Sequence, residues 1–96
     1  MARADKRGKV ELYGDILRAV NEDIKYSGNA RLTRVQGRAN VPYDRFKVYI
    51  EVLVRRGLVA LVDREDFVTI ELTDAGLRYL SEYERVRTIL KSFGLD

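Results

Sequence analysis

Between Lys25 and Arg56 the chain carries eight cationic side chains (Lys25, Arg31, Arg34, Arg38, Arg45, Lys47, Arg55 and Arg56) against two carboxylates, Asp44 and Glu51. That segment is +6 in a protein whose total is +3, so the flanks together are acidic. Guanidinium and ammonium groups at this density do one kind of chemistry well. They hold phosphates, arginine through paired N–H donors and lysine as a point charge. Other reactive side chains are scarce. Histidine and cysteine are both absent, which removes the usual general bases, thiolate nucleophiles and transition-metal ligands. The seven glycines are isolated and build no phosphate loop. Carboxylates remain, scattered where solvated helix faces and turns are expected. Catalysis is therefore not expected, nor is any cofactor or metal. The one enzyme reading that survives is a carboxylate–magnesium nuclease.

The spacing of the apolar residues says what must position these cations. Leu32, Val35 and Ala39 recur at helical intervals, and beyond Arg38-Ala39-Asn40-Val41-Pro42 a stronger pattern runs through Phe46, Tyr49, Ile50, Leu53 and Val54. Pro42 breaks the first helix and suits the opening turn of the second, where its missing N–H is not needed. Gly57 is a natural stop. Helix, tight turn, longer helix is the outline of a helix-turn-helix. With Phe46, Ile50, Leu53 and Val54 facing inward, Asp44, Val48, Glu51, Val52 and Arg55 point away, and Arg45 and Lys47 lie on the flanks. A helix of this kind entering a DNA major groove touches it with its N-terminal half, which makes Tyr43, Asp44, Arg45, Lys47 and Val48 the candidates. Arg45 suits guanine or a phosphate, and Lys47 a phosphate. Arg34 and Arg38 on the preceding helix are expected to grip the DNA backbone. The plain alternative is ordinary exposed charge on a soluble helix; the local +6 favours a polyanion.

The rest of the chain supplies the frame. Residues 1–8 read as a flexible basic arm with Arg3, Lys6 and Arg7, either a frayed terminus or an arm that reaches for phosphates or a minor groove. A scaffold helix is predicted from about Val10 to Lys25, with Val10, Tyr13, Leu17, Val20 and Ile24 as its stripe and Ile16 beside it; Ser27-Gly28-Asn29 closes it. The runs 58–62 and 67–72 flank Asp63-Arg64-Glu65-Asp66, which predicts an antiparallel hairpin, and a hairpin directly after a helix-turn-helix is a wing. This tip is acidic, so either Arg64 alone inserts into DNA or the wing stands clear of it.

Thr73 is the expected N-cap of a last helix reaching Phe93, with Gly76 rather than Glu at the capping-box position. Such a helix is roughly 30 Å long, more than a small winged domain needs to cover its core. Leu77 and Leu80 are expected to face the domain. Tyr79, Tyr83, Val86, Leu90 and Phe93 follow the 4-3-4-3 spacing of a coiled-coil seam, which predicts a homodimer. The expected fold is mainly α with a small β-hairpin: an arm (1–8), a winged helix-turn-helix (9–73) and a C-terminal dimerisation helix (74–96). Ninety-six residues with 46% hydrophobic content suit one core. No apolar run is long enough to span a membrane, and Met1 leads into a basic rather than a hydrophobic segment. A cytoplasmic, nucleoid-associated placement is the expectation.

Three stretches resemble a known family. Arg38-Ala39-Asn40-Val41-Pro42-Tyr43 is similar to the "RANLSY" element of small archaeal winged helix-turn-helix DNA-binding proteins, the ten-kilodalton nucleoid-associated class and its regulator relatives. Leu53-Val54-Arg55-Arg56-Gly57-Leu58-Val59 looks like that family's turn into the wing, and Ile70-Glu71-Leu72-Thr73-Asp74-Ala75-Gly76 like its "Y-x-L-T-x-x-G" start of the final helix. The resemblance spans residues 9–93. It implies dimerisation through a C-terminal antiparallel coiled coil, with binding of double-stranded DNA at little sequence preference or transcriptional regulation. Two positions depart from the pattern. Gly37 stands where an aromatic residue is common, and Pro42 replaces the usual serine, removing a side-chain cap. The rival expectation is a winged-helix protein–protein interaction module that never touches DNA, favoured by Val48, Val52 and the acidic wing.

Overall fold

The computed structural model describes residues 7–96, so most of the basic arm, including Arg3 and Lys6, lies outside the described residues. Four helices and three strands follow in the order α1 (Lys9–Ser27), β1 (Ala30–Arg31), α2 (Leu32–Ala39), α3 (Tyr43–Arg55), β2 (Val59–Asp63), β3 (Val68–Leu72) and α4 (Asp74–Ser92) among the described residues. This is the winged helix-turn-helix expected from the spacing, with one strand added. β1 pairs antiparallel with β3 through Ala30↔Ile70 and Arg31↔Thr69, giving the sheet order β1-β3-β2.

α1 is the scaffold, packed against α2, α4, β1 and β3. It carries Glu11 in its first turn and Lys25 in its last, as the helix dipole prefers, and ends at Gly28, whose N–H donates to the Ile24 carbonyl (2.9 Å). Its buried face is wider than the predicted stripe and starts later. Leu12, Ile16, Leu17, Ala19 and Val20 are buried, whereas Val10 is 70% exposed. The reason is that α2 and α4 both lean on α1, so a wider arc than a single stripe is covered. Gly14 lies in that arc because α4 crosses there: a Cβ at position 14 would strike the Tyr83 ring.

The turn between α2 and α3 is held by backbone geometry. Asn40 adopts the left-handed conformation (φ 56°) that asparagine tolerates, and its N–H donates to the Gly37 carbonyl (3.2 Å). Val41 then drops into the core. Pro42 is the N-cap of α3 rather than a residue of its first turn, and its carbonyl accepts the Phe46 N–H (2.8 Å). No side chain caps α3, as the loss of serine implies. Gly37 is exposed with open space around it, so the missing aromatic residue leaves no internal void.

The wing runs in register from Val59↔Leu72 to Asp63↔Val68, one residue later at its start than the apolar runs predicted. The tip is closed by the Arg64 N–H on the Phe67 carbonyl (2.8 Å), with Glu65 left-handed (φ 68°). Thr73 caps α4 by accepting the Gly76 N–H at Oγ1 (3.1 Å), and its hydroxyl donates to the Gly57 carbonyl (2.6 Å). The structure explains the incomplete capping box. A Cβ at position 76 would collide with the Leu58 carbonyl, so glycine is the residue that lets β2 enter beneath the start of α4.

Candidate nucleic-acid interface

α3 separates two jobs by face. Phe46, Ile50 and Leu53 are buried, which fixes the helix to the domain, while Tyr43, Asp44, Arg45, Lys47, Val48 and Glu51 are exposed. Tyr43 and Val48 are both about half exposed, at 53% and 54%. The Lys47 ammonium lies 5.7 Å from the centre of the Tyr43 ring, near the outer edge of a cation–π contact. Thus the N-terminal half of α3 presents an aromatic, two cations and an aliphatic side chain together, with Asp44 among them. Val54, expected on the inner face from its spacing, is 39% exposed, although Leu53 beside it is buried.

Arg34 and Arg38, expected to grip a DNA backbone, are also tied to the domain. Both converge on Asp23 of α1, which is fully buried. Arg34 Nε donates to both carboxylate oxygens (3.0 Å each), Arg38 Nε to Oδ1 (3.2 Å), and the Arg31 backbone N–H to Oδ2 (3.0 Å). Burial alone would raise the Asp23 pKa. The hydrogen bonds from the Arg31 amide and from the Arg34 and Arg38 guanidinium groups, with the Arg34 charge, overcome it and hold the carboxyl below its usual range. Arg34 is pinned further, its Nη2 donating to Asn29 Oδ1 (2.9 Å) and the Asn29 carbonyl (3.3 Å). Sequence reasoning missed Asp23, and it gave Asn29 only as part of the stop after α1. The available signal was a carboxylate three residues after Val20 and one before Ile24, inside the apolar pattern of α1.

Two further arginines act as ties. The Arg31 guanidinium stacks on Phe67 (3.7 Å to the ring centre) at the tip of the wing, with its Nε buried and without a hydrogen-bond partner among the described residues. Arg7 donates from Nη1 to Asp15 Oδ2 (3.0 Å) and the Ala39 carbonyl (3.1 Å), and from Nη2 to the Asn40 carbonyl (3.1 Å), which joins the α2–α3 turn to α1. Arg64 does not extend from the wing tip. Its Nε donates to Thr69 Oγ1 (3.3 Å) and its Nη2 lies 3.8 Å from Glu71, so it folds back along the hairpin.

The five residues drawn as one dimer seam fall into two groups. Tyr79 and Tyr83 are occupied within their own chain. Tyr79 donates to the Val10 carbonyl (2.9 Å); Tyr83 is buried over Gly14 and donates to Asp15 Oδ1 (2.8 Å). Burial raises the Tyr83 pKa, and its hydrogen bond to Asp15 raises it further, against a lowering by Arg87. A 4-3 spacing cannot tell packing on one's own scaffold helix from packing on a second copy, which is why both tyrosines were drawn into the seam. Beyond them α4 projects. Val86, Leu90 and Phe93 are 51%, 38% and 74% exposed, joined by Ile89 and Leu95. Leu77, expected inside, is 49% exposed. Arg18, paired with Glu84 through two hydrogen bonds of 3.2 Å, ties the middle of α4 to α1.

The model of the winged helix-turn-helix family matches residues 6–91. Among solved structures, the DNA-binding protein Sso10a-2 of Sulfolobus solfataricus is 25% identical, with 91% of this chain and 85% of that one covered and a TM-score of 0.71. AF1382 of Archaeoglobus fulgidus is 15% identical, with 93% of both chains covered and a TM-score of 0.66. The transcriptional regulator BldR of Sulfolobus solfataricus is 21% identical, with 86% of this chain but 59% of that one covered and a TM-score of 0.69. The comparison with curated proteins gives no match. No helix among the described residues is long and apolar enough to cross a membrane. The family match covers both helices of the motif, the wing and nearly all of α4: this chain belongs to the winged helix-turn-helix family, with the fold of DNA-binding regulators.

Proposed function

We propose that this protein binds double-stranded DNA as a homodimer, in a chromatin-architectural or transcriptional-regulatory role, with α3 in the major groove. The observation that carries the reading is the outer face of α3. Tyr43, Arg45, Lys47 and Val48 are exposed together on a helix clamped from behind by Phe46, Ile50 and Leu53. Such a helix can enter a groove without disturbing the core, and its cations release counterions from the phosphates. The likeness to Sso10a-2, described as a DNA-binding protein, supports the same reading. A role on DNA places the protein on the nucleoid, in the cytoplasm.

Replacing Arg45 and Lys47 together by alanine is expected to weaken duplex binding about ten-fold or more, because each such contact contributes on the order of 1–3 kcal/mol. A mobility-shift titration measures this; unchanged affinity means that α3 is not the reading helix. The exposed Val48 keeps a protein-interaction module as the rival. A chain that captures a protein partner and shifts no duplex selects the rival.

Dimerisation rests on the distal half of α4, where Val86, Ile89, Leu90 and Phe93 stand in solvent. A second copy lying antiparallel along this strip would cover it and set two α3 helices on one duplex. Sedimentation at micromolar concentration is expected to give twice the chain mass. Val86→Lys with Phe93→Lys is expected to return the single-chain mass with the circular dichroism unchanged, since neither side chain belongs to the core. A single-chain mass for the unaltered protein refutes the dimer.

A further inference from the structure

A buried carboxylate behind a surface that must attract phosphates is at first sight misplaced. Asp23 is fully buried, and a hydrophobic side chain would fill that position without the desolvation cost of a charge. What Asp23 does instead is organise two cations. Arg34 and Arg38 both reach it with Nε, the inner edge of the guanidinium, and their side chains remain 37% and 34% exposed. Asn29 takes Nη2 of Arg34, which leaves Nη1. Arg38 has no hydrogen-bond partner except Asp23 among the described residues, so its outer edge, Nη1 and Nη2, stays open. The face of its guanidinium lies 5.5 Å from the exposed Tyr26 ring.

Two guanidinium groups this close repel one another unless an anion lies between them. Asp23 is that anion on the inner side. The cluster of Asp23, Arg34 and Arg38 then carries one net positive charge, and a phosphodiester carries one negative charge.

We infer that Asp23 is a positioning residue for phosphate binding: it holds Arg34 and Arg38 by their inner edges so that the outer nitrogens form a preset fork for one DNA backbone phosphate. The inference rests on the DNA-binding reading above and adds how the backbone is gripped. The fork gains by being formed in advance. An arginine free in solvent must lose rotamer freedom when it binds, whereas these two have already lost it in folding.

The test turns on a sign. Asp23→Asn removes a negative charge near the duplex, so simple electrostatics predicts tighter binding. Loss of positioning predicts weaker binding, by about ten-fold, with a salt slope shallower by about one phosphate. Both are read from duplex titrations at several salt concentrations, at a temperature where circular dichroism shows the variant folded. Arg38→Lys is the companion, because it keeps the charge at a partly exposed site and removes the fork. It is expected to lose affinity several-fold, and it decides the matter alone if Asp23→Asn does not fold. Equal or tighter binding by Asp23→Asn with an unchanged slope, or native affinity in Arg38→Lys, overturns the inference while leaving the DNA reading intact. An unaltered protein with no salt-dependent duplex binding overturns both.

Discussion

Affinity for a mixed-sequence duplex is expected to fall by about a thousand-fold or more as salt rises from about 50 to 200 mM. Each phosphate neutralised by a lysine or arginine releases condensed counterions, and the slope of log affinity against log salt is about −0.9 per phosphate. Arg34, Arg38, Arg45 and Lys47 provide four cations per chain on or beside the helix-turn-helix. With Arg34 and Arg38 sharing one phosphate, a single head neutralises three, which gives a slope of about −3 and a loss of about forty-fold over that range. Two heads give a slope of about −5 and a loss of about two-thousand-fold, so the slope also reports how many copies engage. Asp44 and Glu51, exposed on the same helix, work against the cations and pull the slope toward the smaller figure. Fluorescence anisotropy of a labelled duplex at five or six salt concentrations supplies the measurement. A flat response would remove phosphate neutralisation as the driving term, and with it the role assigned to the cationic segment.

Phe46→Ala is expected to be the most damaging single truncation. Phe46 is 1% exposed and belongs to the one cluster that joins α1, α2, α3, the sheet and α4. Truncating a buried phenylalanine costs about 3–5 kcal/mol, from lost transfer energy and from the cavity left behind. A domain of this size holds roughly 5–15 kcal/mol of stability in all. The melting temperature should therefore drop by about 15–30 °C. Val48→Ala, two residues along and pointing into solvent, should change stability by no more than about 0.5 kcal/mol. Thermal melts of the two variants side by side test whether α3 is clamped as described. A drop below about 5 °C for Phe46→Ala would mean that it is not.

The elements were legible wherever local chemistry marks them. Pro42, Gly57 and Thr73 punctuate the chain, the helical intervals around Phe46 and Ile50 fix which side of α3 is buried, and the acidic run at 63–66 separates two β-rich stretches. β1 was not legible, because a two-residue strand has no period and exists only through its partner β3. The same reason explains the misplaced residues. Val10 has the spacing of a core residue yet lies just inside the first turn of α1, where no described residue buries it. Tyr83 has the spacing of a seam and is taken instead by Gly14, a glycine whose position in mid-helix was the available clue to a close crossing. In the candidate site, α3's exposed cations followed from periodicity alone. The Asp23 cluster did not, since its members are 11 and 15 residues apart in sequence and meet only when α2 folds onto α1.

The outer side of β2 bears on how the protein behaves at high concentration. In the order β1-β3-β2 that strand has a neighbour on one side only, so its other side is a row of main-chain donors and acceptors on which a foreign strand can form. The strand is five residues long, ends on Asp63 and runs straight into Arg64, Glu65 and Asp66. A second β2 pairing there in parallel would bring its own copy of that tip beside this one, like charge against like. The acidity that suits the wing so poorly to a polyanion thus gives the sheet a guard against parallel edge-to-edge pairing.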